Sequence, residues 1–219
     1  MSYRHFLGMK SLVCAAVISL PCMAETDVGP QRIINVNAAS TRTEGQFQLT
    51  QNSATPTLAV PKQDVDFDNT TSYSVGGGVE SYQARFMLEY YYTQADVDAL
   101  NLATGTVAAE QKSQALYYSG YWVPDILYGV KGILGLGVGY AEQKFNVPQY
   151  SQIKDEGLTY KFSAGLEYGL IKHLSIYAAV EQIYFKDQED TVTASSDEAV
   201  AFVTNNEQTR YAIGVNFRF

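Results

Sequence analysis

The feature that most constrains the fold of this chain is an alternation, residue by residue, between large apolar and small or polar side chains. At the end of the chain, Tyr211, Ile213, Val215, Phe217 and Phe219 alternate with Ala212, Gly214, Asn216 and Arg218. Successive side chains of a β-strand point to opposite faces, so this period indicates strands, whereas a helix repeats apolar residues about every 3.6 positions. The sequence therefore predicts an all-β protein.

The same pattern recurs upstream and divides the chain into eight predicted strands. Seven of them lie near residues 73–80, 85–92, 116–123, 130–141, 158–168, 174–181 and 211–219. The first strand is placed between Arg32 and Leu49, where Ile34, Val36 and Ala38 alternate with polar or small residues. The segment from Leu116 to Val123 is so aromatic that the alternation does not assign its faces.

The connections between these strands alternate in length. Tight connections are expected near residues 81–82, 124–127 and 169–173, and long polar ones near residues 50–71, 95–110, 146–156 and 187–207. Strict alternation of short turns and long loops is typical of up-and-down barrels in outer membranes. We therefore predict an eight-stranded antiparallel up-and-down transmembrane β-barrel with both termini on the short-turn rim.

The sizes of the two faces favour a membrane barrel over a water-soluble one. The large apolar side chains share one face, and the other face carries Gly, Ala, Ser and charged residues. The interior of an eight-stranded barrel is just wide enough for side chains to fill, so the small and charged residues are expected inside. The charges assigned to the lumen are Glu80, Arg85, Glu89, Lys131, Lys161, Glu167, Glu181 and Arg218.

Three ion pairs are predicted within this lumen charge network: Glu80 with Arg85, Lys131 with Glu167, and Lys161 with Glu181. Buried charges require partners and hydrogen bonds. One interpretation of the network is a gated ion path, and the favoured one is a polar core that fills the lumen.

Tyrosine is abundant, with 17 residues in the chain. Many tyrosines lie near predicted strand ends, where an amphipathic ring suits a membrane interface. The favoured interpretation is an aromatic girdle, and the alternative is a carbohydrate- or host-binding patch. The residues concerned are Tyr90, Tyr91, Tyr92, Tyr117, Tyr118, Tyr121, Trp122, Tyr140, Tyr160, Tyr168 and Tyr184.

The first residues are typical of an export signal. Arg4, His5 and Lys10 precede a short apolar run that ends near Cys22-Met23-Ala24. We expect cleavage after Ala24, with residues 1–24 as signal peptide and 25–219 as the barrel; lipid attachment at Cys22 is the disfavoured alternative. Both cysteines lie in this signal, so no disulfide is expected, and the net charge of -8 argues against nucleic-acid binding.

The C-terminal pattern from Tyr211 to Phe219 resembles the sequence by which outer-membrane barrels are recognised for assembly. Together with Gly76-Gly77-Gly78-Val79-Glu80 and Gly135-Leu136-Gly137-Val138-Gly139-Tyr140, it is similar to the small OmpA-like, opacity-type outer-membrane β-barrel family. The resemblance implies Sec export, insertion by the barrel-assembly machinery, and contact with outer-membrane lipid and lipopolysaccharide. It implies that Tyr211, Ile213, Val215, Phe217 and Phe219 form the assembly signal. Because the chain stops at Phe219, no peptidoglycan-binding role is expected.

Two patterns suggest chemistry, and each has a simpler interpretation. His173-Leu174-Ser175 matches the His-x-Ser of lipid A deacylases, but His173 lies in a predicted turn without a suitably spaced acid. Asp64, Asp66 and Asp68 resemble a calcium loop but lack its glycine and its closing glutamate, and Asp187, Glu189 and Asp190 form a second acidic group. A solvated acidic rim is the favoured interpretation, so no metal and no cofactor are predicted.

The sequence thus predicts a non-enzymatic surface barrel that presents four polar loops for envelope integrity, adhesion or contact with a host or surface ligand. Loops on a rigid sheet commonly carry such functions. Two alternatives stay open: a narrow channel for small or hydrophobic solutes, and a lipid-modifying outer-membrane enzyme.

Overall fold

The computed structural model describes residues 29–51, 60–102, 105–146, 153–185, 188–194 and 197–219. Its regular elements are all strands: β1 Gln31–Gln51, β2 Val60–Ser81, β3 Ala84–Leu102, β4 Gly105–Trp122, β5 Asp125–Leu127, β6 Val130–Asn146, β7 Ile153–Ile171, β8 Leu174–Phe185, β9 Gln188–Ala194 and β10 Asp197–Arg218. Among the described residues, no helix is long and apolar enough to cross a membrane. The predicted signal peptide, residues 1–24, lies outside the described part of the chain.

Eight of these strands form one closed antiparallel barrel. Neighbours follow chain order through β1, β2, β3, β4, β6, β7, β8 and β10, and β10 pairs with β1 from Ile33↔Arg218 upward to close the sheet. The short strand β5 pairs beside β6, and β9 forms a hairpin with the first part of β10. Closure removes the free edges that an open sheet would expose. The predicted eight-stranded antiparallel barrel is confirmed.

The two rims differ in the length of their connections. The short-turn rim has tight turns at Tyr82-Gln83, Tyr128-Gly129 and Lys172-His173. Tyr82 and Tyr128 have positive φ angles of 54° and 38°, and Gly129 has 80°. Asparagine or glycine normally occupies such positions. The side chains of Tyr82 and Tyr128 lie on the outside of the turns and are 81% and 91% exposed, respectively.

At the opposite rim the strands continue much further than the sequence suggested. Pairing between β3 and β4 extends to Leu102↔Gly105, within a segment expected to be a loop, and β9 and β10 pair within residues 188–203. Backbone pairing needs no apolar side chains, and the Thr and Val residues of these segments favour strands. The predicted long loops are therefore largely β-hairpins that extend the barrel wall.

Large apolar side chains cover the outside of the barrel. Leu136, Phe162 and Ile213 are 63%, 51% and 72% exposed, whereas Ser119, Lys161 and Glu167 are buried inside. The orientation of the two faces is thus the one expected for a barrel in lipid. Several glycines make room for bulky lumenal groups: a Cβ atom on Gly135 would lie 2.3 Å from the Tyr121 ring.

The tyrosines divide between the two faces, so the girdle interpretation is wrong for part of the set. Tyr118, Tyr140, Tyr160 and Tyr168 face outward, but Tyr91 and Tyr117 are buried in the lumen and Tyr121 packs against a lumenal cluster. In residues 116–123, odd and even positions both carry aromatic rings, so alternation alone does not show which rings face the lumen. The side chains of Asp64, Asp66, Asp68, Asp187, Glu189 and Asp190 lie outside the described residues.

Candidate functional site

The lumen nearer the short-turn rim contains five interlocked charges, which we term the lower cluster: Glu80, Arg85, Lys131, Glu167 and Arg218. Nη2 of Arg85 lies 2.7 Å from a carboxylate oxygen of Glu80 and 2.7 Å from one of Glu167. Nζ of Lys131 lies 3.1 Å from Glu80, and Arg218 contacts both glutamates. Each carboxylate is therefore shared by at least two cations.

Neutral groups complete the lower cluster. The hydroxyl of Ser175 donates to Glu167 at 2.6 Å, and the amide of Asn216 donates to the other oxygen of Glu167 at 2.9 Å. Arg218 in turn donates to the Ser175 hydroxyl at 2.8 Å. Buried charges persist when paired and hydrogen-bonded, and this carboxylate meets both conditions.

A second group, the upper cluster, lies further from the short-turn rim and consists of Glu89, Lys161, Glu181 and Arg210. Nζ of Lys161 lies 2.7 Å from Glu89 and 3.7 Å from Glu181, and Arg210 also contacts Glu181. The side chains of Lys161 and Arg210 have no exposed surface. The upper cluster thus pairs two buried cations with two buried carboxylates.

Aromatic side chains bind the upper cluster from several sides. Tyr121 accepts a hydrogen bond from Lys161 at 2.8 Å and donates to Glu89 at 2.8 Å, while Tyr91 donates to Glu181 at 3.0 Å. The Lys161 ammonium lies 4.7 Å from the ring centre of Tyr91 and 5.4 Å from that of Tyr117, within the range of a cation–π interaction. The tyrosines therefore serve as hydrogen-bonding partners of the lumenal charges.

A polar chain along the β1 and β10 wall connects the two clusters. Asn35 donates to Asn216 at 2.6 Å, and Asn37 donates to the Tyr177 hydroxyl at 2.7 Å. Arg210 donates to Asn37 at 3.3 Å. The space left between the clusters is a cavity of about 20 Å³ bordered by Asn35, Glu89 and Tyr121, enough for about one water molecule.

The structure places all eight sequence-selected charges in the lumen, but with partners that differ from the predicted ones. Glu80 pairs with Arg85. Lys131 stands opposite Glu167 in the β6–β7 register yet bonds to Glu80, and Lys161 lies nearer Glu89 than its predicted partner Glu181. The stagger between strands determines which cation pairs with which carboxylate, because long side chains reach across the lumen to strands that are not neighbours.

Arg210 is the lumenal charge that the sequence analysis missed. The last predicted strand begins at Tyr211 and the preceding long loop ends near Glu207, so Arg210 belongs to neither of them. The signal was present, since Arg210 has the same parity as the inward residues Ala212, Gly214 and Asn216. Extending the alternation by two residues would have found it.

His173 and Ser175 take part in separate structural contacts. Nδ1 of His173 lies 3.0 Å from the carbonyl oxygen of Arg218 at the short-turn rim, and Ser175 is buried with its hydroxyl bonded to Glu167 and Arg218. A serine nucleophile needs a base within hydrogen-bond reach. These contacts instead join the β8 and β10 ends. In the described ranges, no cluster of three or more His, Cys, Asp or Glu side chains could hold a metal ion.

Comparisons with known proteins identify the fold. No protein-family model and no curated protein matches the chain. Among solved structures, Neisserial surface protein A is 14% identical with a TM-score of 0.56, over 87% of this chain and 99% of that one. The outer membrane protein AlkL in lipid bilayers is 16% identical with a TM-score of 0.54, over 92% and 95%. The outer membrane protease OmpT from Escherichia coli is 7% identical with a TM-score of 0.53, over 90% and 99%.

At these identities the likeness concerns the fold, which is that of bacterial outer-membrane β-barrels. This is the fold that the resemblance in the sequence implied, and it agrees with the outer-membrane location predicted there. The similar structures include a surface protein and a protease. The fold alone therefore does not separate a binding barrel from an enzyme.

Proposed function

We propose that this protein is a non-enzymatic surface barrel of the bacterial outer membrane, whose filled lumen supports hairpins that contact a partner outside the cell. The observation that carries the proposal is the combination of two interlocked charge clusters with strands that continue beyond the apolar band. The clusters fill the barrel and make it a rigid scaffold, and the hairpins carry polar residues away from the lipid. Binding functions often lie on such projections from rigid sheets.

The lumen geometry disfavours the channel alternative. In the described part of the chain, nine charged side chains project into the lumen at two heights, and the cavity between the two clusters has room for about one water molecule. An aqueous path would require both clusters to open, and each opening would leave buried charges without partners. The contacts of His173 and Ser175 similarly disfavour the lipid-modifying enzyme that their spacing suggested.

Surface display is tested by epitope insertion. A short peptide tag placed after Leu102, at the tip of the β3–β4 hairpin, should be detected by antibody on intact cells. The matched control is the same tag after Lys172 in a short turn, which should be detected only after the outer membrane is permeabilised. Detection of the Lys172 tag alone on intact cells would reverse the proposed orientation.

Shortening the β3–β4 hairpin should reduce attachment of expressing cells to the surface they colonise.

A bilayer measurement separates the scaffold from a channel. We expect the purified protein to give no steady conductance in planar bilayers and no solute uptake into liposomes, because the lower and upper clusters fill the lumen. An open pore of defined conductance in most insertions of the wild-type protein would contradict the proposal. The Lys161→Ala variant removes a central cation of the upper cluster. It is therefore the variant whose conductance, compared with that of the wild type, is most suited to reveal a leak of ions.

We also propose that the outward residues of the last strand form the assembly signal read by the barrel-assembly machinery. Tyr211, Ile213, Phe217 and Phe219 are more than half exposed on the outside of the barrel. The backbone of Phe219 has a second role, since its N–H and carbonyl each bond to Arg32 at 3.0 Å across the closing seam. Deleting Phe219 would therefore remove both a ring and two backbone bonds.

The variant Phe219→Ser separates these effects because it keeps the backbone bonds and removes the ring. We expect it to lower the amount of heat-modifiable, folded protein in outer-membrane fractions severalfold. Phe219→Tyr, which retains an aromatic end, should accumulate like the wild type. Equal accumulation of the serine variant would show that the terminal ring is not part of the signal.

A further inference from the structure

Beyond the apolar band, the barrel wall opens between β2 and β3. Pairing of these two strands extends from their short turn to Ser72↔Thr93 and, within the described residues, goes no further. Both strands nevertheless continue, β2 back to Val60 and β3 on to Leu102. Over this length β2 pairs with β1 and β3 pairs with β4, so each strand has a neighbour on one side. We term the two facing edges, residues 60–71 and 94–102, the β2–β3 opening.

The two edges of the opening are templates for a further strand. At the base of the opening, the hydroxyl of Thr70 donates to the carbonyl oxygen of Gln94, so a side chain takes the place of a backbone ladder bond there. Further along, a strand edge presents N–H and C=O groups at about every second residue. An extended segment of another chain can bond to such groups and add a strand to the sheet.

The sequence of both edges is acidic. The β2 edge contains Asp64, Asp66 and Asp68 and a single lysine, and the β3 edge contains Asp96 and Asp98 and no basic residue. Like charges on facing strands repel, which disfavours pairing of the two edges with each other. The same repulsion disfavours pairing with the edge of a second copy of this chain. A basic segment, in contrast, would be attracted to both edges.

A second opening, between β7 and β9, differs in its charge. Strands β7 and β8 pair as far as Thr159↔Phe185, and above this level β9 pairs with β10 alone among the described strands. The β7 edge of this opening contains Lys154, which donates to Glu156 of the same edge. Acidic residues there are thus partly neutralised by the protein itself. The β2–β3 opening is therefore the one whose composition selects a basic partner.

We propose that the β2–β3 opening binds a basic, extended segment of a partner protein by β-strand addition to β3. This inference rests on the surface hairpins of the proposed function and names the chemistry of their partner. The partner adds to β3 because residues 94–102 contain no proline, whereas Pro61 in the β2 edge has no N–H to donate. An extended segment as long as residues 94–102 spans about 30 Å.

Fluorescence polarisation with purified barrel in a neutral detergent tests the proposal with defined peptides. The probe is a labelled peptide of about ten residues, the length of the β3 edge, in which lysine alternates with threonine. We expect saturable binding whose affinity falls as salt rises, because exposed charges are screened. The same peptide with glutamate in place of lysine should bind at least about tenfold more weakly. A fully N-methylated lysine peptide keeps its charges but has no backbone donors, and it should be weakened at least about tenfold as well.

Two matched double variants locate the binding site. Asp96→Asn with Asp98→Asn removes two charges from the β3 edge and is expected to weaken binding of the lysine peptide about fivefold, the usual effect of two exposed ion pairs. Glu189→Gln with Asp190→Asn removes two charges from β9 at the second opening and should bind the peptide like the wild type. The heat-modifiable band on gels shows whether each variant is folded.

Equal binding of the lysine peptide and its N-methylated form would overturn the proposal, because attraction of charge alone would then explain the binding. Equal binding of the lysine and glutamate peptides would overturn it as well, and so would equal effects of the two double variants. The peptide comparisons use the wild-type protein, so they decide the question even if a variant folds poorly. They are made in detergent and do not depend on the epitope experiment, so surface display and strand addition can fail separately.

Discussion

Replacing Lys161 with methionine is expected to destabilise the folded barrel by about 3–5 kcal/mol, the usual consequence of removing one partner from a buried ion pair. Lys161 has no exposed side-chain surface and lies 2.7 Å from Glu89. Without its ammonium, Glu89 would keep only hydrogen bonds from neutral groups such as Tyr121. The variant would therefore bury a carboxylate without a cation.

Urea unfolding of the barrel in lipid vesicles measures this effect, and the single tryptophan, Trp122, reports the transition by fluorescence. The matched control is Lys172→Met in an exposed turn, expected to change the unfolding free energy by about 1 kcal/mol or less. Adding Glu89→Gln to Lys161→Met should recover part of the loss, because the unpaired charge is then also removed. A Lys161→Met barrel as stable as the Lys172→Met barrel would show that the upper cluster contributes nothing to stability.

Replacing Gly165 with alanine is the second change expected to have a large effect. A Cβ atom at this position would lie 2.3 Å from the carbonyl oxygen of Ala178 and 2.8 Å from the Cα atom of Ala179. Both obstacles belong to the backbone of the paired strand β8, so no side-chain rotation can relieve them. Strands β7 and β8 would have to separate, at a cost of about 1–3 kcal/mol or more for overpacking.

Gly157 provides the matched control, because it lies in the same strand and a Cβ atom there would meet no atom within 4 Å. Gly157→Ala is expected to leave the unfolding free energy and the yield of folded protein unchanged, whereas Gly165→Ala lowers both. The two variants differ by the same methyl group from the wild type, so intrinsic strand propensity cancels between them. Equal stability of the two would mean that the β7–β8 spacing is looser than the structure shows.

The sequence by itself determined the strands, their order and the orientation of their faces. These properties are local, because a two-residue period assigns alternate side chains to opposite sides wherever one side is apolar. Glu80, Glu89, Glu167 and Glu181 could therefore be assigned to the lumen from their parity with small residues.

In residues 116–123, odd and even positions both carry large side chains. The two-residue period therefore does not show which of them face the lumen. Tyr117 and Tyr121 consequently needed the structure to show that they face inward, and so did Tyr91 in the aromatic run at residues 90–92.

Apart from the Glu80–Arg85 pair, which adjoins a tight turn, only the tertiary structure decided which charges meet in the lumen and where the strands end. Closure of the barrel fixes the stagger between strands, and this stagger brings Arg85 to Glu167 and Lys161 to Glu89, residues more than 70 positions apart. Beyond the membrane, water can hydrogen-bond to the backbone of either a loop or a strand. A polar composition therefore does not show where strand pairing ends. In that region the backbone hydrogen bonds between β3 and β4 show how far pairing extends. The register of β4, β6 and β7 likewise aligns Lys112, Lys144 and Lys154 across three neighbouring strands.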